Sequence, residues 1–258
     1  MNENYLMEKA KVIRRTCLQS MTKAHSSHIG CVFSMVDIVT YLFYEKMDHK
    51  IDKFILSKGH AVAGLYTVLH DRGIINDEEY ASYHSNDSHF IAHPNHVVNG
   101  VEVSTGSLGH GLAIASGLAW ANSMDKKPGI IYCLLGDGEC QEGSIWEALI
   151  FIARNLFKNL IIIIDANNYQ GFSDTCDSLF SHKKLFQMLK GTALDVREIN
   201  GHNFKEIQAA LSEDLIAPRV LLAHTIKGKG VSYMENKFEW HYKTPDPNQL
   251  NQALDELK

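Results

Sequence analysis

Two short polar stretches of the chain each follow a run of apolar residues. Ile130–Leu135 leads into Gly136-Asp-Gly138, and Leu160–Ile164 leads toward Asn167. A carboxylate between two glycines can reach a cation while the backbone comes close to a ligand. Mg²⁺ and Ca²⁺ take oxygen ligands, and a diphosphate with one Asp, one Asn carbonyl and one backbone carbonyl supplies a near-octahedral set. The spacing therefore predicts a cation and diphosphate site at Asp137 and Asn167.

The glycine motifs fit no common phosphate loop. A dinucleotide fingerprint would need glycine where Gln141 stands, and neither Gly136-Asp-Gly138 nor Lys227-Gly-Lys-Gly230 has the spacing of a P-loop. Gly, Asp and Asn also form ordinary turns at strand ends, so a purely structural interpretation of Gly136-Asp-Gly138 stays open.

Residue periodicity indicates the elements that must position these side chains. Apolar spacing predicts a helix over residues 5–24, and Ser34-Met-Val-Asp37 is typical of a capping box that opens a second helix. Further helices are expected at Ala61–Leu69 and after Asn76. Strands are expected at Ile130–Leu135, Leu160–Ile164, Leu194–Ile199 and Val220–Ile226. This alternation indicates one α/β domain over 1–258, a parallel sheet with helices on both faces, and an extended polar tail after about residue 230.

Composition excludes several classes of protein. The 258 residues are 45% hydrophobic and 21% charged, as in ordinary globular chains, and the net charge of -5 gives no general reason to bind nucleic acid or an anionic membrane. Five cysteines without C-x-x-C spacing suggest neither a disulfide framework nor a thiolate zinc site. With no signal peptide and no membrane-spanning run, we expect a cytoplasmic protein that acts on small molecules.

Seven motifs in order along the chain resemble those of the transketolase family, specifically its N-terminal, diphosphate-binding half. Gly136-Asp-Gly138 and Asn167-Asn168 match the start and the end of the thiamine diphosphate motif. The other matches are Lys23-Ala-His-Ser-Ser-His-Ile-Gly30, Leu56-Ser-Lys-Gly-His60, His93-Pro94, Ser104-Thr-Gly-Ser-Leu-Gly-His-Gly111 and Thr225-Ile-Lys-Gly-Lys-Gly230. The resemblance implies a thiamine diphosphate-binding fold.

The resemblance also implies a set of cofactor contacts. Mg²⁺ or Ca²⁺ would be held by Asp137, the Asn167 side chain and the Tyr169 backbone carbonyl, and the Gly138 N–H would meet the diphosphate. The loop that contacts the aminopyrimidine and supports the bent cofactor corresponds to Gly106, Ser107 and Leu108. Glu142 matches an acidic residue near the subunit contact that couples two cofactor sites, although a carboxylate in the first turn of a helix is an equally good interpretation.

Four of the 14 histidines acquire roles from the resemblance. His60 matches a contact to the diphosphate region, and His241 matches one to both cofactor and substrate. His28 and His93 would line the donor's approach, where imidazoles hydrogen-bond sugar hydroxyls and move protons. A zinc site among the histidines at positions 84, 89, 93 and 96 is a weaker alternative, because no helical pattern places them on one face.

The implied reaction transfers a two-carbon ketol unit from a ketose, or ketose phosphate, to an aldose or aldose phosphate. In the family, the glutamate that activates the cofactor lies on a pyrimidine-binding domain, which we expect on a separate partner subunit in an α2β2 complex. Ile29, Asn95 and His110 depart from the commonest family pattern near the donor channel, which leaves room for a modified sugar. The α subunit of a 2-oxoacid dehydrogenase and a non-catalytic homologue remain alternatives.

Overall fold

Five parallel strands form the centre of the computed structural model, which describes residues 2–171, 173–175 and 180–258. The strands lie in the order β1-β2-β3-β5-β4. Their bounds are β1 Lys53–Leu56, β2 Ile131–Gly136, β3 Leu160–Ala166, β4 Asp195–Asn200 and β5 Arg219–His224. Because β2 and β3 are neighbours, the polar residues that follow them emerge side by side, as predicted.

Helices cover both faces of this sheet. Successive strand residues point to opposite faces: Tyr132 and Leu134 join one apolar core, and Cys133 and Leu135 join the other. The first core includes helices α1 Glu3–Lys23, α2 Ile29–Tyr41, α3 Val62–Asp71, α8 Phe204–Ser212 and α9 Pro247–Glu256. The second core includes α5 His110–Met124, α6 Gly143–Asn155 and α7 His182–Lys190. The predicted α/β fold with helices on both faces is confirmed.

Of the helix caps and strands predicted from local sequence, some are confirmed and others are wrong or were missed. The Asn76 capping box is confirmed, because Asn76 and Glu79 cap the short helix α4, Asp77–Ala81, reciprocally. The capping box proposed at Ser34 is wrong: α2 begins at Ile29, and the Ser34 hydroxyl lies buried inside the helix, within hydrogen-bond distance of Cys31 O and of the Asp165 carboxylate. A strand at Lys53–Leu56 was not predicted, since four residues carry too little periodicity.

The predicted extended tail after residue 230 is also wrong. Phe238–His241 forms a short 3₁₀ turn, and α9 follows as a capped helix, with Asp246 and Gln249 forming a capping box. Ala253 and Leu257 are buried in the core beside α1, which ties this segment to the fold. The C-terminal segment therefore helps to bring His241 to the sheet.

Helix α5 is unusually apolar for a helix that is largely exposed. Its sequence contains no Asp, Glu, Lys or Arg, yet more than half of its residues face outward. The exposed side includes Ile114, Leu118, Trp120 and Met124, the last of them 70% exposed, and Ile150 on neighbouring α6 is 71% exposed. We call this set the α5 apolar face. Contiguous exposed apolar surface of this kind is typical of contact with another chain.

Four cysteines, Cys17, Cys31, Cys133 and Cys140, are buried free thiols, and Cys176 lies outside the described residues. Among the helices of the described residues, none has the length and apolar character needed to cross a bilayer.

Candidate active site

A cavity of about 460 Å³ opens at the carboxyl ends of β2 and β3. This is where open parallel sheets bind ligands, and the volume suits a small molecule. Most of the predicted site residues line it: His28, His60, Gly106, Leu108, Asp137, Gly138, Glu142, Asn167, Tyr169 and His241. Residues 213 positions apart in the chain, His28 and His241, therefore share one pocket.

Asp137 lies at the floor of the cavity, directly after β2, and is 1% exposed. Its Oδ2 accepts hydrogen bonds from the Asn168 N–H at 2.8 Å and the Thr175 hydroxyl at 3.3 Å, and lies 2.9 Å from Nε2 of His182. Its Oδ1 accepts one bond, from the Gly138 N–H at 2.9 Å. Oδ2 therefore has three hydrogen-bond partners, whereas Oδ1 has one and can accept a further partner.

Asn167 stands beside Asp137 because Gly136 and Asp165 are paired in the β2–β3 register. Its Oδ1 accepts the Tyr169 N–H at 3.1 Å, and its amide nitrogen lies 3.4 Å from Asp165 Oδ2. That nitrogen donates toward the carboxylate, so the oxygen of the amide points the other way. The amide orientation is therefore set by the buried Asp165.

Asp165 forms a fully buried ion pair with Lys58, whose ammonium also donates to Cys31 O at 3.0 Å. Burial alone would raise the pKa of Asp165, but the charge of Lys58 and the hydrogen bonds outweigh it and hold the pKa below its usual value. Burial likewise lowers the pKa of Lys58, and Asp165 more than offsets this. The pair is ionised and forms the rigid back wall of the cavity, which Lys58 lines.

Three imidazoles are packed together in the lining of the cavity. The ring centroids of His28 and His241 are 4.8 Å apart, those of His28 and His60 5.3 Å, and those of His60 and His241 5.7 Å. Burial, with nearby positive charge, lowers the pKa of His28 to about 4 and that of His241 to about 3, and the pKa of His60 falls well below its usual value for the same reasons. All three rings are therefore neutral at pH 7.

Lys227 enters the cavity between these histidines and Tyr169. Its side chain is buried, and its Nζ lies 3.1 Å from Nδ1 of His241. Burial lowers the pKa of Lys227, and the nearby Lys58 lowers it further. Among the described residues Lys227 forms no ion pair with a carboxylate, so the cavity holds a cation suited to an anionic ligand.

Glu139 connects three segments next to the cavity through hydrogen bonds. This buried carboxylate accepts hydrogen bonds from the Ser57 hydroxyl after β1, from the Gly109 N–H at 2.9 Å and from the Gly136 N–H at 3.0 Å. Burial raises the pKa of Glu139 above its usual value. The loop at Gly106–Leu108 is therefore held at a fixed distance from the end of β2.

Gly138 is required by close packing. A Cβ at this position would lie 2.6 Å from Cβ of Gln170, which is closer than real Cβ contacts allow. The absence of a side chain lets the backbone of Gly138 face the cavity directly.

Two predicted residues lie at the margin. Ser107 is exposed and is not among the residues that line the cavity, and neither is His93, although a Cβ at Gly106 would lie 3.1 Å from the His93 ring. The described residues contain no group of three or more His, Cys, Asp or Glu side chains placed to hold a metal, which gives the alternative zinc site no support.

Sequence reasoning missed three charged residues. Lys58 and Lys227 sit inside the matched motifs and Glu139 directly follows Gly136-Asp-Gly138, but lysine and glutamate are rarely buried, and no role was assigned to them. Their motif positions were the available signal.

Comparisons with known proteins agree with this geometry. Residues 6–254 match the family model described as transketolase, thiamine diphosphate-binding domain. The fold is accordingly that of a thiamine diphosphate-binding domain. The chain belongs to the transketolase family, which confirms the resemblance seen in its motifs.

Several relatives are themselves separate subunits. The chain is 37% identical to one subunit of the apulose-4-phosphate transketolase of Phocaeicola vulgatus, covering 95% of this chain and 90% of that protein. It is 31% identical to the 6-deoxy-6-sulfo-D-fructose transketolase subunit SqwG of a Clostridium species, covering 98% and 96%.

Other relatives are longer. The chain is 32% identical to human transketolase over 98% of its own length and 42% of that protein. The solved structure of Campylobacter jejuni transketolase matches with a TM-score of 0.92 and 30% identity, covering all of this chain and 43% of that one. The chain therefore spans about two fifths of such transketolases.

Proposed function

We propose that this chain is the cofactor-binding subunit of a split transketolase, which transfers a two-carbon ketol unit from a ketose or ketose phosphate to an aldose acceptor. The observation that carries the proposal is the placement of Asp137 and Asn167 side by side at two strand ends, facing a cavity walled by three neutral histidines. Similarity over nearly the whole length of two subunit proteins supports the split arrangement.

The residues present fit Mg²⁺ or Ca²⁺ with thiamine diphosphate. Asp137, Asn167 and the Tyr169 carbonyl offer only oxygen donors, as a hard cation requires, and Oδ1 of Asp137 has capacity for it. The backbone of Gly138, which faces the cavity, and the Lys227 ammonium suit a diphosphate. When bound, the cofactor supplies the nucleophilic carbon for cleavage next to the ketose carbonyl.

The histidines of the cavity act on the sugar through hydrogen bonds and proton transfer. Because His28, His60 and His241 are neutral, each ring offers one N–H donor and one acceptor nitrogen. We assign His28, His93 and His241 to the substrate side and His60 to the diphosphate side. We also place His241 within reach of the cofactor, because Lys227, which would bind the diphosphate, lies 3.1 Å from its Nδ1.

The loop Gly106–Leu108 supports the cofactor ring, with Ser107 at its exposed rim. Glu142 lines the cavity at the start of α6 and faces the N-terminus of α5, since a Cβ at Gly109 would meet Glu142 Cβ at 2.8 Å. We propose that Glu142 lies where subunits meet.

The partner subunit would carry the pyrimidine-binding domain and complete the cavity, in an α2β2 complex in which residues 1–258 form one domain with a C-terminal extension. We propose that this partner covers the α5 apolar face. The helix that carries this face begins at His110, two residues after Leu108, which lines the cavity. A partner here reaches cofactor and cavity together.

The two-component proposal is tested by turnover. The purified chain is incubated with thiamine diphosphate, Mg²⁺ and a ketose phosphate, alone and with candidate partner subunits, and ketol transfer to an aldose is measured. Activity should require the partner. Appreciable turnover by the chain alone contradicts the split arrangement, and pyruvate decarboxylation without ketol transfer identifies a different thiamine enzyme.

The metal site is tested separately. Asp137→Asn preserves shape but removes the charge, and it should weaken Mg²⁺-dependent cofactor binding in the assembled complex by roughly 100-fold. Asp125→Asn, on an exposed residue after α5, serves as the matched control. Calorimetry with and without EDTA reports the effect, and unchanged binding by Asp137→Asn shows that the site lies elsewhere.

A further inference from the structure

Lys227 is delivered into the cavity by a short segment that follows β5, and this segment is tied from outside the cavity. The backbone N–H of Ile226 donates to Nε2 of His202 at 2.8 Å. His202 belongs to the connection between β4 and α8 and does not line the cavity. The residue that precedes Lys227 is thus fixed by a side chain remote from the ligand.

The two hydrogen bonds of His202 define its tautomer. A backbone N–H can only donate, so Nε2 must be the unprotonated nitrogen. The proton is then on Nδ1, which lies 2.6 Å from Oδ2 of Asp37. The ring acts as a neutral spacer that donates to Asp37 with one nitrogen and accepts from Ile226 with the other.

Asp37 is itself immobilised in the core. Arg14 binds both of its oxygens, with NH1 at 3.0 Å and NH2 at 2.6 Å, and NH2 also donates to Phe33 O at 3.0 Å. Burial raises the pKa of Asp37, but the charge of Arg14, together with the hydrogen bonds from His202 and Arg14, outweighs burial and brings the pKa to about 2. The row Arg14, Asp37, His202, Ile226 therefore links α1 and α2 to the segment that carries Lys227.

Other hydrogen bonds also hold this segment, on both sides of Lys227. Gly228 N–H donates to Gly30 O at 2.8 Å, and Asn236 N–H donates to Lys227 O at 2.9 Å, so both follow the Lys227 Cα. On the preceding side, Thr225 is bonded to Asp165, and Ile226 has the His202 bond. The Ile226 carbonyl, which belongs to the Ile226–Lys227 peptide, accepts from the Lys229 N–H at 3.2 Å. His202 thus fixes the Thr225–Ile226 peptide, one peptide further back from Lys227.

We propose that His202 is a positioning residue for the active site: held by Asp37 and Arg14, it fixes the Thr225–Ile226 peptide at the start of the segment that carries Lys227, and thereby helps to aim the Lys227 ammonium at His241 and at the anionic ligand. The expected effect on ligand binding rests on the proposed function, whereas the contact of Lys227 with His241 is a property of the chain without ligand. The two parts are measured separately.

Two substitutions separate the contacts of the ring. His202→Gln places a side-chain oxygen where Nε2 stood, so it keeps an acceptor for Ile226 and gives up the contact to Asp37. His202→Asn places its amide where Nδ1 stood, so it keeps a donor for Asp37 and gives up Ile226. A positioning role makes the Gln variant the milder one, whereas a purely structural role in pairing Asp37 makes the Asn variant the milder one.

The readout is the ¹⁵N NMR signal of the His241 ring nitrogens in the full chain without cofactor. Lys227→Met supplies the shift that marks loss of the Lys227 contact. His202→Asn should move the signal toward that reference, and His202→Gln should leave it near the wild-type value. In the assembled complex, cofactor affinity should fall about tenfold for His202→Asn and stay within about twofold for His202→Gln.

A wild-type His241 signal in folded His202→Asn overturns the proposal, as does an Asn variant milder than the Gln variant. A measurement on the wild-type chain covers the case of a variant that does not fold: the N–H···N bond predicts scalar coupling between Ile226 N and His202 Nε2, and absence of coupling overturns the proposal as well. A normal His241 response with no cofactor affinity in any variant leaves the positioning intact and contradicts the proposed function.

Discussion

The ammonium of Lys227 and the imidazole of His241 share one hydrogen bond, with Nζ 3.1 Å from Nδ1. Because a lysine ammonium only donates, Nδ1 of His241 must accept, and the ring proton is on Nε2. The lysine therefore selects the tautomer of the histidine and leaves an N–H donor on its other side. The protonation state of His241 in the cavity can therefore be measured.

The first prediction concerns titration of the two histidines. With pKa values of about 4 and about 3, the C2–H signals of His28 and His241 should not move between pH 5.5 and 8 in an NMR titration. Lys227→Met should raise the pKa of His241, since it removes a neighbouring positive charge, but burial should still hold the pKa below 6.5. Titration of His241 near pH 6.5 in the wild-type chain contradicts the buried arrangement.

The same shifts predict how stability depends on pH. Below pH 6.5 the unfolded chain gains a proton at each histidine that the folded chain does not, so the free energy of unfolding falls until the pH reaches the folded pKa values near 3 to 4. Each histidine contributes at most about 1.4 kcal/mol per pH unit, less where water still reaches the ring. Urea denaturation at several pH values should show this slope, and His241→Asn should make it shallower.

The buried pair Lys58–Asp165 should be more sensitive to loss of one partner than to loss of both. Lys58→Met or Asp165→Asn should each lower the free energy of unfolding by about 3–5 kcal/mol, because an uncompensated charge remains buried. The double variant should recover part of that loss. Lys53→Met breaks the more exposed pair with Glu102 and should cost under about 1 kcal/mol. Additive losses in the double variant would show that the pair is not coupled.

Gly138 allows a test of close packing at the position where we propose that the diphosphate binds. Gly138→Ala places a Cβ against Gln170 and should lower the free energy of unfolding by about 1–3 kcal/mol and weaken cofactor binding. Gly143→Ala is the matched control, because nothing lies within 4 Å of its added Cβ. Adding Gln170→Gly to Gly138→Ala removes the clashing atom. Failure of this double variant to recover would place the strain elsewhere.

The sequence was informative where chemistry coincides with a strand end. The runs before Asp137 and Asn167 are continuously apolar, as in strands buried on both faces, so their pairing and shared edge follow from general rules of parallel sheets. The thiamine diphosphate-binding domain was likewise evident from motif order. These features depend on short stretches of sequence, which a single chain displays directly.

Features that depend on distant parts of the chain were not derivable from local pattern. The meeting of His28 with His241 requires the Phe238–His241 turn to return to α2, where His241 O accepts the His28 N–H at 3.0 Å. The burial of Lys58 follows from its pairing with Asp165, which is 107 residues away. The capping box predicted at Ser34 was wrong because its hydroxyl, a group that often caps helices, instead forms a hydrogen bond with the buried Asp165 carboxylate.

The α5 apolar face also determines how the free chain behaves in solution. A helix that exposes Ile114, Leu118 and Trp120 with no charge of its own has little to keep two copies apart. Salts that strengthen apolar association, such as ammonium sulfate, should therefore drive the isolated chain into reversible clusters. Under the proposed split arrangement, a partner subunit that covers this face should prevent such clustering.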